Sequence, residues 1–232
     1  MTSSSALLAV AHGSTDPRAE SVLDALIARV RAERPDLAAT LCYLGHSTPD
    51  VTDAVNDLVE QGFSRVIVVP LLLTSAFHAR FDLPGVIEQS RVAHPSVEFR
   101  QAEVLGPHPQ LFSLIYRRLN EADVHDTASL VLGAIGTSDP RANAELADVA
   151  ATMGATIGFA SCAPHIADVV ADVRAAGARQ IAIISYVLAP GTLPDRFYAA
   201  GADVITDVLG AAPELVNVIL ERYDAAVGAS VS

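Results

Sequence analysis

The strongest constraint on the fold is that one series of motifs occurs twice, in the same order, roughly 120 residues apart. Three segments of the first half, AHGSTDPRA, ATLCYLGHSTPDVTDAV and EQGFSRVIVVPLLLTSAFHARF, return as AIGTSDPRA, ATIGFASCAPHIADVV and AAGARQIAIISYVLAPGTLPDRF. This offset is too long for a solenoid and indicates a duplicated domain. We expect a first domain over 1–124, a degenerate repeat over 125–232, and a polar linker, DVHDTA, near the boundary.

Within each copy, short apolar segments alternate with segments of helical periodicity. In the first copy this predicts strands at 6–11, 38–44, 65–72 and 97–102, separated and followed by helices at 17–34, 50–61, 80–93 and 109–122. The alternation is typical of βαβ units, which form a parallel sheet covered on both faces. The sequence therefore predicts an α/β protein of two tandem, similar domains. Each would be a four-stranded parallel sheet flanked by helices in the flavodoxin-like manner, with a cleft between the two.

Composition excludes several classes of protein. The 232-residue chain has a net charge of −12, and all fifteen of its basic residues are arginine, which argues against a nucleic-acid partner. Two cysteines are too few for a disulfide scaffold or an iron–sulfur cluster. The longest apolar stretch, at 66–73, is far below the ~20 residues that span a bilayer, and the start lacks a basic targeting segment. These features predict a soluble, cytoplasmic protein with no membrane partner.

Two histidines follow strands of the predicted first sheet. His12 comes directly after the first strand, and His78 follows the third strand by a few residues. With the flavodoxin-like strand order 2-1-3-4, these strands would be neighbours about 4.8 Å apart. Ligands of open parallel sheets bind beyond the carboxyl ends of the strands. We therefore expect the two imidazoles to meet at one site.

Both histidines are missing from the second copy. Ile135 occupies the position of His12, and Leu193 or Pro194 that of His78, although the surrounding Asp-Pro-Arg and Arg-Phe residues are kept. This difference favours one active site with a supporting partner domain. The alternative is drift at structurally neutral positions.

The chemistry of two neutral imidazoles suits a borderline divalent metal, and imidazoles near neutrality can also accept protons. A site with two protein ligands is open, whereas structural metal sites usually fill four positions. Asp16 and Pro17 are a predicted helix start, with Arg18 in the first turn. That helix N-terminus could hold a carboxylate or phosphate, or the residues could serve for capping alone.

On these residues the sequence resembles the class II chelatases of the sirohydrochlorin chelatase family, the CbiX/SirB group, in its long two-domain form. The resemblance rests on AHGS, VVPLLLTSAFHARFDLP and YVLAPGTLPDRF. It implies an enzyme, a lyase that inserts Fe²⁺ or Co²⁺ into sirohydrochlorin, a carboxylate-rich tetrapyrrole, for siroheme or cobalamin biosynthesis. The metal would be a substrate, with no tightly bound cofactor. His12 and His78 match the family's metal-binding and proton-accepting pair. The candidates for binding the macrocycle are Ser14, Arg18, Arg80, Arg141 and Arg196; each arginine could instead form a surface ion pair.

The sequence departs from the family pattern after the second strand. Some members carry an acidic residue there, whereas this chain has Gly45 followed by His46. A third metal ligand is therefore either absent or supplied by His46. The lack of a histidine-rich tract tilts the expectation toward iron and siroheme, and the duplication suggests a monomer. Two other functions stay open: a histidine phosphatase, which Ala11 before His12 disfavours, and a non-enzymatic divalent-metal carrier or sensor.

Overall fold

The computed structural model describes residues 5–74 and 83–229 and contains two four-stranded parallel sheets. The first repeat runs through β1 (Ser5–Ala11), α1 (Pro17–Glu33), β2 (Ala39–Tyr43), α2 (Val51–Glu60), β3 (Arg65–Pro70), α3 (Leu83–Ala93), β4 (Glu98–Gln101) and α4 (Pro109–Glu121). The second runs through β5 (Ser129–Ala134), α5 (Pro140–Thr152), β6 (Thr156–Phe159), α6 (Ile166–Ala175), β7 (Ile181–Ser185), α7 (Asp195–Tyr198), β8 (Val204–Ile205) and α8 (Pro213–Gly228). The predicted fold class and repeated alternation are confirmed.

Strand order is the same in both sheets, β2-β1-β3-β4 and β6-β5-β7-β8, with every pairing parallel. Val10 of β1 lies between Cys42 of β2 and Pro70 of β3. The expected adjacency of the first and third strands is therefore confirmed. It places the loops after β1, β2 and β3 at one edge of the first sheet.

Apolar residues explain why these elements form. The central strands β1 and β3 are buried on both faces, as parallel sheets require, and α2 and α3 cover one face of the first sheet. Helices α1 and α8 pack against each other and against β2 and β3. Two helices begin with the same device: the carboxylates of Asp16 and Asp139 accept hydrogen bonds from the N–H groups of Arg18 and Arg141. The helix start predicted at Asp16 and Pro17 is confirmed.

Packing divides the chain differently from the sequence repeat. Residues Met1–His108 and Ala211–Ser232 form one compact unit, and Pro109–Gly210 form the other. The boundary expected at 124/125 therefore separates α4 and α8 from the units in which they pack. The reason is that α4 buries its apolar face in the unit of β7, whereas α8 packs on β3 and β4. An amphipathic pattern specifies a buried face without specifying which sheet covers it.

Equivalent arginines attach these two helices to their units. Arg118, in the third turn of α4, donates to the Leu209 carbonyl at 3.0 Å, after β8. Arg222 stands at the same place in α8 and contacts the Glu103 carboxylate at 2.7 Å, after β4. Helix α4 is thus held to the loop after β8, and α8 is held to the loop after β4.

The described helices include none with the length and apolarity that crossing a bilayer requires.

Candidate metal-binding site

The loops after β1 and β2 continue the pairing of the strands that precede them. The N–H of Leu44 donates to the Ala11 carbonyl at 2.9 Å, and the N–H of Gly45 donates to the His12 carbonyl at 3.2 Å. Because the backbone pairing extends past both strand ends, the position of His12 is fixed relative to the β2 loop.

Gly13 makes this close approach possible. Its φ is +92°, and a Cβ built on it would lie 1.6 Å from the Gly45 carbonyl oxygen. Any other residue would therefore meet both an unfavourable backbone conformation and a steric overlap. The glycine of the HGS motif is required by the contact between the two loops.

The Ser47 hydroxyl joins the same loops a second time. Its Oγ accepts a hydrogen bond from the Ser14 N–H at 3.2 Å and donates one to the Ser14 carbonyl at 3.1 Å. Both backbone groups of Ser14 are thereby satisfied by one side chain from the β2 loop. Ser47 was not singled out from the sequence, because no chemistry-bearing motif includes it.

His46 lies beside His12 at this edge of the sheet. The ring centroids are 6.3 Å apart and the rings are nearly parallel, with an interplanar angle of 7°. Both residues are exposed, and His46 has a positive φ of 65°. Two ring nitrogens that share one ion at ~2.1 Å lie at most about 4.2 Å apart. His46 is an exposed loop residue, and its role as a third metal ligand stays a prediction.

His78 and Arg80 lie outside the described residues, so the meeting of His12 and His78 stays a prediction. Leu71, at the start of the segment that leads from β3 to His78, is among the described residues. Its N–H donates to the carbonyl of Val10, two residues before His12, at 2.8 Å. Within 5–74 and 83–229, no group of three or more histidine, cysteine or acidic residues could hold a metal ion. A three-ligand site would need a contribution from beyond these ranges.

Two neighbouring side chains of β2 are unsuited to metal binding or proton transfer at neutral pH. Burial, followed by the nearby Asp50 charge, raises the pKa of the Cys42 thiol, so the thiol stays protonated. Burial, with the charges of Asp24 and Glu20, raises the pKa of Tyr43 to about 12. Neither side chain therefore competes with the imidazoles as a candidate ligand at this end of β1 and β2.

Two predicted substrate-binding residues of the first repeat also serve the start of α1. The Arg18 guanidinium contacts the Asp16 carboxylate at 2.6 Å and lowers the pKa of that carboxyl group. The Ser14 hydroxyl accepts a hydrogen bond from the Asp16 N–H at 3.0 Å. Both interactions serve the turn before the helix.

The two predicted arginines of the second repeat differ in their contacts. Arg196 donates to the Ala160 carbonyl at 2.6 Å, directly after β6. Arg141 is exposed, and its guanidinium forms no ion pair or hydrogen bond with the rest of the described chain. Arg141 therefore has its full set of donors available for a ligand, whereas Arg196 is oriented by its own backbone contact.

The second unit repeats the loop pairing without the imidazoles. The N–H groups of Ala160 and Ser161 donate to the carbonyls of Ala134 and Ile135, as Leu44 and Gly45 do in the first unit. Ile135 thus takes the place of His12, as the sequence comparison expected. Cys162 takes the place of His46, and its sulfur would lie 2.6 Å from a Cβ at Gly136. Among the described residues, the same backbone frame carries two imidazoles in the first unit and Ile135 and Cys162 at the equivalent positions of the second.

The architecture is that of tandem α/β domains with histidines at the carboxyl edge of one sheet, and it has solved counterparts. SirB from Bacillus subtilis, whose structure was determined with Fe³⁺, superposes with a TM-score of 0.83 at 24% identity, covering 97% of this chain and 96% of its own. At that identity the likeness shows the fold.

Sequence comparison defines the family. The CbiX family model matches twice, over residues 6–122 and 129–226. A sirohydrochlorin ferrochelatase of Priestia megaterium is 27% identical over 87% of this chain and 80% of its own length. A sirohydrochlorin cobaltochelatase of the same organism is 27% identical over 82% of this chain and 66% of its own length. The chain belongs to the CbiX family.

Proposed function

We propose that the protein is a sirohydrochlorin chelatase that inserts a divalent metal, Fe²⁺ or Co²⁺, into the tetrapyrrole. The observation that carries the proposal is the stacked pair His12 and His46 at the carboxyl edge of one sheet, in a chain of the CbiX family. The two curated relatives named above insert iron and cobalt, respectively, by their descriptions. Iron is our first expectation and cobalt the second.

The chemistry requires an open site with bases beside the ion. Two pyrrole N–H protons must leave as the metal enters the macrocycle, so groups that hold the ion and accept protons couple the two events. Neutral imidazoles do both near neutral pH. We assign metal binding and proton acceptance to His12 and His78, and metal binding to His46 in the place of the acidic residue that some relatives carry. Few ligands leave coordination positions for the macrocycle.

Substrate carboxylates need positive charge against a net charge of −12. Arg141, with no partner among the described residues, is the strongest candidate. Arg18 and Arg196 could each add donors while keeping the contacts they already make. Arg80 and the Ser14 hydroxyl complete the proposed set. The cytoplasmic location and the monomeric state stay predictions.

The test is metal insertion followed by absorption spectroscopy under anaerobic conditions, with sirohydrochlorin and Fe²⁺, Co²⁺ or Ni²⁺. A chelatase accelerates the spectral change over the spontaneous rate, and His12→Ala lowers that acceleration. His165→Ala is the matched control, because His165 is an exposed histidine at the corresponding edge of the second sheet. A metal carrier would bind Co²⁺ with the same histidines but leave the insertion rate unchanged.

A further inference from the structure

We propose that Ser47 is a positioning residue for metal binding: its hydroxyl ties the β2 loop to the β1 loop and so holds His46 beside His12. This inference rests on the proposed function. It adds a residue that forms no part of the metal site and that the sequence did not indicate.

The first step is the geometry of the link. Ser47 follows His46 directly, and Ser14 is two residues after His12. The two hydrogen bonds between the Ser47 hydroxyl and the Ser14 backbone therefore lie next to both imidazoles. The two loops also meet where the Gly45 N–H donates to the His12 carbonyl and where the Gly45 carbonyl approaches Gly13.

The second step is that His46 needs such support. Its φ of 65° lies in the left-handed region, which L-residues other than glycine adopt only when surrounding contacts hold them there. Its side chain is exposed, so burial does not fix the ring. A hydrogen bond pair at the next residue supplies the constraint on the backbone.

The third step is a comparison within the chain. Thr137 of the second unit corresponds to Ser14, and its backbone N–H and carbonyl also bond to one side chain. There the partner is the Asn143 amide of α5, at 3.0 and 2.8 Å. Asn143 belongs to the helix that directly follows Thr137, and its amide N–H also lies 3.6 Å from the Cys162 sulfur in the β6 loop.

The backbone N–H and carbonyl groups of Ser14 and Thr137 are thus satisfied in two different ways. An amide from the following helix satisfies them where Ile135 and Cys162 replace the imidazoles, and the contact of that amide with the β6 loop is a weak one, to sulfur at 3.6 Å. A link between the loops satisfies them where the imidazoles are present. If the Ser47 hydroxyl only satisfied the Ser14 backbone, an asparagine side chain like Asn143 would serve the first unit equally well. The residue of the first unit that corresponds to Asn143 is Glu20, because Pro17 corresponds to Pro140 at the start of the helix.

The experiment measures Co²⁺ affinity and the ligand-field spectrum of the bound ion in the full-length protein. We expect Ser47→Ala to weaken Co²⁺ binding by about tenfold or more, the range seen when groups that orient metal ligands are removed. The spectrum of the bound ion should change to that of the His46→Ala variant. Ser47→Thr, which keeps the hydroxyl, should retain both affinity and spectrum.

A double-mutant cycle separates positioning from general stability. If Ser47 acts through His46, the His46→Ala/Ser47→Ala variant binds Co²⁺ no more weakly than His46→Ala alone. Losses that multiply in the double variant would overturn the proposal, as would a Ser47→Ala protein that binds Co²⁺ like the wild type.

The second unit provides a further control. Adding Glu20→Asn to Ser47→Ala offers the Ser14 backbone the amide link found at Thr137, without restoring the two hydrogen bonds between residue 47 and Ser14. We expect the melting temperature to rise while Co²⁺ affinity stays low. Recovery of affinity in that variant would mean that Ser47 only satisfies the backbone, and would overturn the proposal. Failure of the proposed function itself has a different signature: neither His12→Ala nor His46→Ala would affect Co²⁺ binding or insertion.

Discussion

The Gly45 carbonyl oxygen occupies the space in which a Cβ atom at Gly13 would lie, at a distance of only 1.6 Å. This contact brings the loops after β1 and β2 together and fixes the backbone from which His12 and His46 project. The contact between these loops, and the contacts that hold α4 in its unit, can each be tested by substitution.

Gly13→Ala should destabilise the protein strongly, because it combines a positive φ with the overlap at Gly45. Gly62→Ala is the matched control: its φ of +88° is nearly the same, but nothing lies within 4 Å of the added Cβ. We expect the control to lower the free energy of unfolding by ~1 kcal/mol. Gly13→Ala should cost about 3 kcal/mol or more.

Urea unfolding of both variants, with Co²⁺ titration of any that fold, checks this prediction. Gly13→Ala should also lose Co²⁺ affinity, whereas Gly62→Ala should keep it. Equal stability losses in the two variants would mean that the loops separate at little cost.

Arg118→Met should lower the free energy of unfolding by about 1–3 kcal/mol, because the Leu209 carbonyl loses its hydrogen-bond partner. Arg117→Met is the control, since Arg117 also pairs with Glu121 but is more exposed, at 37% against 17% of the side chain. We expect the control to change stability by less than about 0.5 kcal/mol. Denaturant unfolding measures the free energy of both variants. Similar losses would mean that the Arg118 hydrogen bond to the Leu209 carbonyl adds no particular stability.

Stability should fall in acid partly through Glu98. Hydrogen bonds from the guanidinium groups of Arg65 and Arg100 lower the pKa of its carboxyl group below the ordinary value. A lowered folded-state pKa stabilises the fold above the unfolded-state pKa, and that contribution disappears as the pH falls through the folded-state pKa. Glu98→Gln should therefore lower the melting temperature at neutral pH and reduce its fall from about pH 5 toward pH 3.

Thermal melts across that range test the assignment. Glu88→Gln is the control, because Glu88 forms an exposed ion pair with Arg91 on α3. At neutral pH, Glu88→Gln should change the melting temperature less than Glu98→Gln does. If the melting temperature of Glu98→Gln followed pH in the same way as the wild type, another carboxylate would carry the effect.

The fold could be predicted because its signals are local and repeated. The apolar segments predicted the strands, and the duplicated motifs predicted two similar sheets. The neighbouring positions of β1 and β3 followed from the flavodoxin-like strand order that we expected for each copy. The packing of α4 and α8 could not be predicted in this way. Their apolar faces, such as Leu111 and Leu114 of α4, show that the helices are buried without showing against which strands.

The site was predictable in part. His12 was placed correctly at the end of β1, and its replacement by Ile135 in the second unit followed from the repeat. Its stacking with His46 occurs between two loops that meet at Gly13, which has a positive φ, and at the Ser47 hydroxyl. A sequence pattern does not report such details of backbone geometry. The position of His78 stays a prediction.

The most direct test of the central claim is the rate of Co²⁺ or Fe²⁺ insertion into sirohydrochlorin by wild type, His12→Ala and His46→Ala, followed anaerobically by absorption. We predict clear acceleration by the wild type. The rate should fall about a hundredfold or more in His12→Ala, in keeping with the loss of a positioned proton acceptor. The fall in His46→Ala should be about tenfold or more, the range for metal-site perturbation. His165→Ala should match the wild type. A wild-type rate equal to the spontaneous rate, or full activity in both His12→Ala and His46→Ala, would contradict the account.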